Sequence, residues 1–258
     1  MSSNIEAKGY ARVRDIPAPY LAELSQGLRA SRTLPEALAV DFVALFSTLL
    51  SGHEAQVKAQ LGAAVPITQR LARAGALLAE HCSGSELEHF EHHLSDTVRG
   101  AVAYAFAATP AAALHVHIAR FEKLADDPHF GVREWAWLAL RPVLQADVPG
   151  SIEALVPYTQ HASPNLRRFA VEALRPRGVW CKHLEPLKKD PGLASALLEP
   201  LKAEPEIYPQ DSVANWLNDA GKTQPEWVTA LCTSWLKESP VQATERIAKR
   251  ALRNLRPA

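Results

Sequence analysis

The sequence predicts an all-α protein assembled from repeated helices. Between its prolines, the 258-residue chain places apolar residues at i, i+3, i+4 and i+7, and almost no segment alternates with period two. Glycine is sparse, at 12 residues, and no Asn-Gly or Asp-Gly pair marks a hairpin. Similar blocks of sequence also return at a regular interval, which indicates a repeat architecture.

Residues 1–15 are polar and predict an N-terminal tail, whereas residues 16–258 contain no linker rich in glycine or serine and predict a single domain. The first clear helix is expected from Pro35 to Leu50, where apolar side chains form a broad stripe. Pro35 fits the first turn of such a helix, because the N–H that proline lacks would have no helical partner there.

The later helices are punctuated by an acceptor side chain followed by proline. Such a pair predicts an N-cap residue with proline at the first helical position, although glutamate is a weaker cap than serine or aspartate. The four pairs are spaced by 36, 41 and 35 residues. They are Asp127-Pro128, Ser163-Pro164, Glu204-Pro205 and Ser239-Pro240.

Two segments repeat each other directly: residues 132–142 match residues 166–176 at an offset of 34, and each segment ends in Arg-Pro. The same offset leads back from Arg133 to Arg99. Helix pairs that return at this period are typical of HEAT-like repeats, stacked as a curved α-solenoid (an α-α superhelix) in which each pair buries its face against its neighbours. The pattern is strongest over residues 95–256.

The repeat places three arginines at equivalent positions: Arg99, Arg133 and Arg167. Equivalent positions in a solenoid project from the same face, so these side chains are expected to form a row that suits a phosphate backbone. The alternative is that they pair with carboxylates inside the repeats, and the pattern leaves both possibilities open.

The distribution of charge and the cysteine content indicate which kinds of partner and which cellular compartment to expect. The formal net charge is zero, but residues 1–160 carry 13 basic against 17 acidic side chains, and residues 161–258 carry 15 against 11. This asymmetry favours an anionic partner without identifying one. The cysteines, Cys82, Cys181 and Cys232, form no CxxC pair, and the N-terminus has no apolar signal region, so a reducing, cytoplasmic location is expected.

Neither a membrane segment nor a cofactor site is expected. The apolar stretch at residues 101–108 is far too short to cross a bilayer. In the His81–His93 cluster, His89 and His93 have the i, i+4 spacing of a chelating pair, but no second matched pair accompanies them, so a polar helix face is the favoured interpretation. The chain also lacks a glycine-rich phosphate loop, GxSxG and HExxH.

A candidate site lies between residues 167 and 219. Helix spacing sets Arg168, Glu172 and Arg175 on one face, where neighbouring positive charge favours an ionised carboxylate. Trp180 is expected at the start of the following helix, and Asp219 lies one repeat further on. A carboxylate beside an aromatic ring suits a cation such as an N-alkylated base. The structural alternatives are an ion pair for Glu172, a helix cap for Asp219 and packing between repeats for Trp180.

The tryptophans divide into two groups. Trp135 and Trp137 point about 200° apart on a helix, so one of them is expected to be exposed or to line a groove. Trp216, Trp227 and Trp235 are expected in the core.

Three stretches resemble the HEAT-like DNA alkylation-repair glycosylases, in particular the AlkC branch. Residues 24–42, with LSQGL, SRTL and EALAVDF, are similar to that branch's N-terminal motif. Residues 167–180 resemble its RRxxxExxRPRxxW motif, and residues 212–219 resemble SVANxLND. The resemblance covers most of the chain, and the last two motifs are long enough to be specific. It implies a concave stack of helical repeats that grips the DNA backbone and removes 3-methyladenine and related cationic bases without a metal.

The resemblance also implies roles for single residues. Those that match the family's lesion site are Glu172, Arg175, Trp180 and Asp219. The chain departs from the family where a motif resembling SEFAIRP has a carboxylate, because Trp137 stands there. Glu134 lies one helical turn earlier and could approach the same space, or the chain could have lost catalysis and kept DNA binding.

The sequence thus favours an alkylated-base DNA glycosylase that acts alone, as a monomer on double-stranded DNA, with no cofactor or metal. Asp219 and Glu172 are predicted to be catalytic, and Trp180, Trp137 and Glu134 to contact the lesion. The predicted contacts to the DNA backbone are Arg99, Arg133, Arg167, Arg168, Arg175 and Arg177. Two alternatives stay open: a DNA-binding repeat protein without glycosylase chemistry, and a protein-interaction scaffold.

Overall fold

The computed structural model describes residues 8–109 and 113–255. Every regular element within these ranges is helical and none is a strand, which confirms the predicted all-α class. Of the predicted tail, residues 1–7 lie outside the described residues, and the rest contains a short 3-10 helix at Val13–Asp15. No helix in the described ranges combines the length and the hydropathy needed to cross a membrane.

The described residues contain seventeen α-helices, which we number in chain order. They are α1 (Ala18–Ser25), α2 (Leu34–Ala39), α3 (Phe42–Leu49), α4 (Glu54–Leu61), α5 (Ile67–His81), α6 (Gly84–Phe90), α7 (Asp96–Ala108), α8 (Leu114–Ala119), α9 (Glu122–Ala125), α10 (Phe130–Ala146), α11 (Val148–Leu155), α12 (Pro164–Glu172), α13 (Glu185–Lys189), α14 (Ser195–Leu198), α15 (Ile207–Gly221), α16 (Pro225–Glu238) and α17 (Gln242–Ala251).

Contacts group the chain into two compact units. The first comprises Met1–Ala111 and Asp127–Ala139, and the second comprises Ala112–Asp126 and Leu140–Ala258. The division falls within the residue range of α10, between Ala139 and Leu140. The single domain expected for residues 16–258 therefore stays a prediction.

The prediction of one long helix from Pro35 to Leu50 is wrong, because α2 ends at Ala39 and a separate helix, α3, begins at Phe42. Asp41 is the reason for the break. Its side chain accepts a hydrogen bond from the amide of Ala44 at 3.1 Å and caps the new helix, while its own amide donates to the Ser25 hydroxyl at 3.0 Å. Pro35 does lie in the first turn of α2, as predicted.

Of the four acceptor-proline pairs, only Ser163-Pro164 forms the predicted cap, with Ser163 at the N-cap and Pro164 as the first residue of α12. The other three pairs stand two or three residues before α10, α15 and α17, so the prediction is wrong for them. At two of these places the acidic side chain has another partner, because Asp127 and Glu204 each bind an arginine from the preceding repeat.

The predicted period holds in the middle of the chain, where α7, α10 and α12 begin at residues 96, 130 and 164, each 34 residues after the one before. Helices α15 and α17 continue the series at longer intervals. Within the second unit, α15 packs against α12 on one side and α17 on the other. The indole N–H of Trp216 donates to the carbonyl of Leu174 at 3.0 Å and fixes α15 against the end of α12.

The expectation that Trp135 or Trp137 is exposed is wrong, because both are only 3% exposed. Every residue of α10 from 135 to 141 is buried. A helix at a surface would expose one face, whereas this part of α10 exposes none. Trp135 packs on Gly100, where any side chain would collide with the indole. Trp216 and Trp235 are fully buried, as predicted, whereas Trp227 is partly exposed.

Candidate functional site

The arginines at equivalent repeat positions make equivalent contacts. In Arg99, Arg133 and Arg167, the Nη1 atom donates to the carbonyl oxygens of the residues six and five positions earlier, over distances of 2.5 to 3.1 Å. Those carbonyls belong to the turn that leads into each arginine's own helix. The repeat relation is therefore confirmed, and each side chain closes a turn of its own repeat.

Two of these arginines also bind a carboxylate from the following repeat. Arg99 donates to Asp127 at 2.8 and 3.2 Å, and Arg167 donates to both oxygens of Glu204 at 2.8 and 2.7 Å. The two acceptors are 7% and 3% exposed, so the charges are neutralised inside the chain. This geometry favours the alternative left open by the sequence, namely pairing within the repeats, over a row of phosphate ligands.

Glu172, the last residue of α12, is 3% exposed and fully hydrogen-bonded. Its Oε1 accepts from Arg175 at 2.7 Å and its Oε2 accepts from the Ser212 hydroxyl at 2.5 Å, with Arg168 at 3.8 Å. Burial by itself raises the pKa of Glu172, but the two guanidinium groups and the hydrogen bonds outweigh it and hold the pKa below its usual 4.5. Glu172 is therefore ionised at neutral pH.

Asp219 lies in α15 and is 4% exposed. Its Oδ2 accepts two hydrogen bonds from Arg175, at 3.0 and 2.8 Å, and its Oδ1 accepts one from Lys222 Nζ at 3.1 Å. These partners are side-chain cations rather than the backbone amide that a helix cap would bind. We call Glu172 and Asp219 the acidic pair.

Arg175 joins the acidic pair, because its guanidinium contacts both carboxylates. Burial lowers the pKa of Arg175, but the charges of Glu172 and Asp219 more than compensate and raise it. The structure thus brings together Arg168, Glu172, Arg175 and Asp219, as the sequence predicted, whereas their role in catalysis stays a prediction.

Trp180 lies in a turn that ends before α13, and not at the start of a helix as predicted. Its side chain is 53% exposed and its backbone has φ 62°, a left-handed conformation that a bulky residue rarely adopts. The next residue, Cys181, interacts electrostatically with Arg175 and with the acidic pair, so this turn returns close to the carboxylates. Strained backbone of this kind concentrates at functional sites.

The remaining predicted arginines differ from each other. Arg168 is 8% exposed and stacks its guanidinium over the Tyr208 ring, with 4.5 Å from Cζ to the ring centroid. Arg177 is half-buried and has no hydrogen bond or ion pair to any residue in the described ranges. Of the six arginines assigned to the DNA backbone, Arg177 thus has the guanidinium that this structure leaves uncommitted.

Trp137 and Glu134 belong to the first unit and bind each other, because the indole N–H donates to Glu134 Oε2 at 2.8 Å. With Trp137 only 3% exposed, the indole would have to leave its packing before it could touch a base. Their contact with a lesion therefore stays a prediction, and the geometry does not favour it for Trp137.

Sequence reasoning missed two side chains of the site. Lys222 follows Asp219 by three residues, a spacing at which helical side chains meet, and this signal was available. Ser212 begins the SVAN motif, but its hydrogen bond to Glu172 crosses between α15 and α12 and had no local signal.

Further arginines lie on α17 and just beyond it, facing the row of α15 that carries Asp219. Arg246 and Arg250 both approach Asp211, at 2.7 and 3.2 Å, and Arg253 donates to Asn215 at 3.2 Å. Two cations on one carboxylate leave a positive excess on this face.

The described residues contain no group of three or more His, Cys, Asp or Glu side chains that could hold a metal ion. In the His81–His93 cluster, His81 stacks on His53 with ring centroids 3.9 Å apart and hydrogen-bonds to Gln56 at 2.8 Å. His93 accepts from the amide of Ser95 at 3.0 Å.

Among curated proteins, the chain is similar to the uncharacterized protein YhaZ of Bacillus subtilis (strain 168), with 37% identity over 117 residues. That match covers 45% of this chain and 32% of YhaZ, so the chain matches about a third of the length of this relative. No family model matches the chain.

Among solved structures, the chain is similar to the Pseudomonas fluorescens alkylpurine DNA glycosylase AlkC bound to DNA containing an abasic site analog. The identity is 24%, the TM-score is 0.67, and the match covers 96% of this chain and 65% of AlkC. AlkD2 from Streptococcus mutans matches at 17% identity and a TM-score of 0.60, over 77% of this chain and 95% of AlkD2. The smu.31 protein of Streptococcus mutans UA159 matches at 18% identity and a TM-score of 0.55, over 72% of this chain and 98% of its own. This chain therefore has the helical-repeat fold of the AlkC- and AlkD-type proteins.

Proposed function

We propose that this protein is a DNA glycosylase that excises cationic N-alkylated bases, such as 3-methyladenine, from double-stranded DNA. One observation carries the proposal: two buried carboxylates bind the same guanidinium, that of Arg175, beside a turn that exposes a tryptophan in a strained conformation. The shared fold supports it, because one solved protein with this fold is an alkylpurine DNA glycosylase bound to DNA.

The chemistry requires little beyond charge and a placed water. The glycosidic bond of a cationic base is already weakened, and its electron pair leaves with the base, which becomes neutral. Positive charge then develops at the sugar C1′, where an ionised carboxylate stabilises it. A water molecule adds to C1′ and gives its proton to the carboxylate. We assign this work to Asp219, with Glu172 keeping Arg175 in place.

Of the two carboxylate oxygens of Asp219, Oδ1 is the one that can give up its hydrogen bond and bind substrate instead. Its hydrogen bond comes from Lys222, whose side chain is 47% exposed, whereas Oδ2 is held by two bonds from Arg175. When a DNA phosphate draws Lys222 away, Oδ1 becomes available to the sugar and the water. The aromatic face of Trp180 attracts a cationic base by about 0.5–2 kcal/mol, depending on how far the contact is desolvated.

The phosphate contacts belong to cations that remain accessible. We assign them to Lys222, Arg177 and the Arg250 and Arg253 side chains beyond the acidic pair, in place of Arg99 and Arg167. All four residues belong to the second unit. Such contacts release counterions from DNA and make binding depend on salt.

The test is release of 3-methyladenine from methylated duplex DNA, measured under single-turnover conditions together with binding to the same DNA. We expect release by the wild-type protein, and a loss of about 100-fold or more in Asp219→Asn with binding kept, because the removed charge acts mainly in the transition state. The control is Asp190→Asn, which alters an exposed aspartate of the second unit whose side chain caps a 3-10 helix.

Two outcomes would overturn the proposal. Tight, salt-dependent DNA binding without base release would identify a DNA-binding repeat protein that lacks glycosylase chemistry. Salt-insensitive association with a protein, and none with DNA, would identify an interaction scaffold.

The DNA-binding protein without catalysis is the second candidate, and one observation favours it. Where the family motif has a carboxylate, Trp137 is buried and donates a hydrogen bond to Glu134. If that family carboxylate is essential, neither residue replaces it here.

A further inference from the structure

A buried arginine bridges the two arms of the turn that carries Trp180. Arg141, fully buried in α10, donates from Nη1 to the carbonyl of Ala173 at 2.9 Å and from Nη2 to that of Arg175 at 2.6 Å. The same Nη2 atom also lies 3.2 Å from the carbonyl of Lys182. One guanidinium thus holds both arms of the segment from Ala173 to Lys182, which we call the tryptophan loop.

The tip of the tryptophan loop presents apolar side chains to solvent. Val179 is 59% exposed and Trp180 is 53% exposed. A left-handed backbone at a bulky residue is strained and persists only where its surroundings impose it. Gly178 shows how tight those surroundings are, because any side chain there would collide with Cys181 Sγ and lie against the Arg141 guanidinium.

We propose that Arg141 is a positioning residue that closes the tryptophan loop and thereby sets the orientation in which Trp180 meets an alkylated base. The contact between Arg141 and the loop is independent of what the protein does. The choice of an alkylated base as the ligand of Trp180 rests on the proposed function. Arg141 touches no substrate in this scheme and acts through Trp180 and through the backbone of Arg175.

An arginine suits this position and a lysine does not. A guanidinium is a rigid fork with five donors, so it reaches three carbonyls on two arms of a loop at once, whereas an ammonium is a point donor on a flexible stem. Its charge is compensated from a distance by the acidic pair, which interacts with it electrostatically. Burial lowers the pKa of Arg141, but the guanidinium stays protonated at neutral pH because the ordinary pKa of an arginine is far above 7.

The first experiment observes Trp180 directly, without DNA. The protein is labelled with 5-fluorotryptophan, and Trp180→Phe assigns the ¹⁹F resonance of Trp180 among the six tryptophans. We expect Arg141→Lys to shift or broaden the Trp180 resonance and to leave those of Trp135 and Trp235 in place. The control is Arg70→Lys, because Arg70 also donates to two backbone carbonyls, those of Val40 and Leu38, but in the first unit.

The second experiment measures excision and binding. Misplacing a reacting or recognising group by about 1 Å lowers a rate by about 100-fold, so we expect Arg141→Lys to reduce single-turnover excision by about that factor. Affinity for undamaged DNA should stay within about twofold of wild type, because no phosphate contact is removed. This split separates a positioning role from a general loss of structure.

The proposal fails if Arg141→Lys folds and leaves the Trp180 resonance unchanged, or if Arg70→Lys moves that resonance equally. If Arg141→Lys does not fold, Arg141→Gln replaces it, and Gly178→Ala tests the same contact, because the added methyl group would lie against the Arg141 guanidinium. If Gly178→Ala leaves the Trp180 resonance unchanged, that result also contradicts the proposal. If the wild-type protein excises nothing but Arg141→Lys moves the resonance, the proposed function fails and the positioning role stands.

Discussion

Two segments of matching sequence, residues 132–142 and 166–176, fold differently. In the first, the helix continues through Arg141 and Pro142 to the end of α10. In the second, α12 ends at Glu172, and Arg175 lies in the turn that follows. The equivalent arginines therefore bind different partners, because Arg141 donates to three backbone carbonyls and Arg175 donates to two carboxylates.

The difference follows from a few neighbouring side chains. Glu172 occupies the position that a buried leucine, Leu138, takes in the first segment. Only in the second segment does the helix end early enough for a loop to form, and Arg141 of the first segment bridges the two arms of that loop. One copy of the repeat thus supplies packing and support, and the other carries the candidate chemistry.

The comparison predicts the largest effect at Arg175. Arg175→Met leaves two buried carboxylates without their shared cation, and removing one partner of a buried pair costs about 3–5 kcal/mol of the free energy of unfolding. Urea denaturation measures this loss. The triple variant that adds Glu172→Gln and Asp219→Asn should recover much of it, because both side chains that lost Arg175 are then uncharged. A loss below about 1 kcal/mol in Arg175→Met would contradict the charge balance described here.

Trp137 of the first segment and Trp180, just beyond the second, should respond in opposite ways. Trp137→Ala removes a buried indole and should cost about 3–5 kcal/mol of unfolding free energy. Trp180→Gly should stay within about 1 kcal/mol of wild type, because relief of the left-handed strain offsets the added freedom of glycine in the unfolded chain. Thermal unfolding of both variants checks this. Equal losses would show that Trp180 is packed as Trp137 is.

A smaller effect should appear in the pH dependence of stability. The folded-state pKa of Glu172 lies below its usual 4.5, so its charge stabilises the fold fully above that pH and the contribution is lost as the pH falls through the lower folded value. The difference in unfolding free energy between wild type and Glu172→Gln should therefore shrink on acidification below about pH 4.5. Glu153→Gln, an exposed substitution on α11, serves as the control and should show no such trend.

The smallest effect is expected in the salt dependence of DNA binding. Lys222→Gln removes one phosphate contact and should reduce the slope of log affinity against log salt by about 1. Arg167→Gln should lower stability and leave the slope unchanged, because Arg167 is already occupied by Glu204. If Arg167→Gln reduces the slope and Lys222→Gln leaves it unchanged, the row of repeat arginines contacts the DNA backbone, and the face that carries the acidic pair does not.

The helical class, the period and the meeting of Arg168, Glu172 and Arg175 could be predicted because each depends on local spacing. Hydrophobic periodicity and an offset of 34 residues are visible without any knowledge of packing. What a side chain meets across the fold is not visible in this way. Arg99 and Arg167 had the spacing of a cationic row, but their partners, Asp127 and Glu204, stand 28 and 37 residues further along the chain.

Burial was the second limit. The argument that Trp135 and Trp137 face opposite ways is correct for a helix with one neighbour, but it fails for a helix covered on every side, and both are buried. The left-handed backbone of Trp180 likewise had no local signal, since the sequence there offers Gly178, the residue that normally takes such a conformation, two positions earlier.

The contact made by Arg99, Arg133 and Arg167 has a consequence for how such a chain grows. Each helix brings its own guanidinium and the turn carbonyls that the guanidinium binds, so the joint between a turn and its helix is copied whole whenever the block is duplicated. A new copy would arrive with this joint already hydrogen-bonded, and its neighbour would need to supply an apolar face and a carboxylate such as Asp127 or Glu204. Divergence can then act on positions such as 138 and 172 without disturbing the joint, which is a route by which one copy among several acquires a chemistry that the others lack.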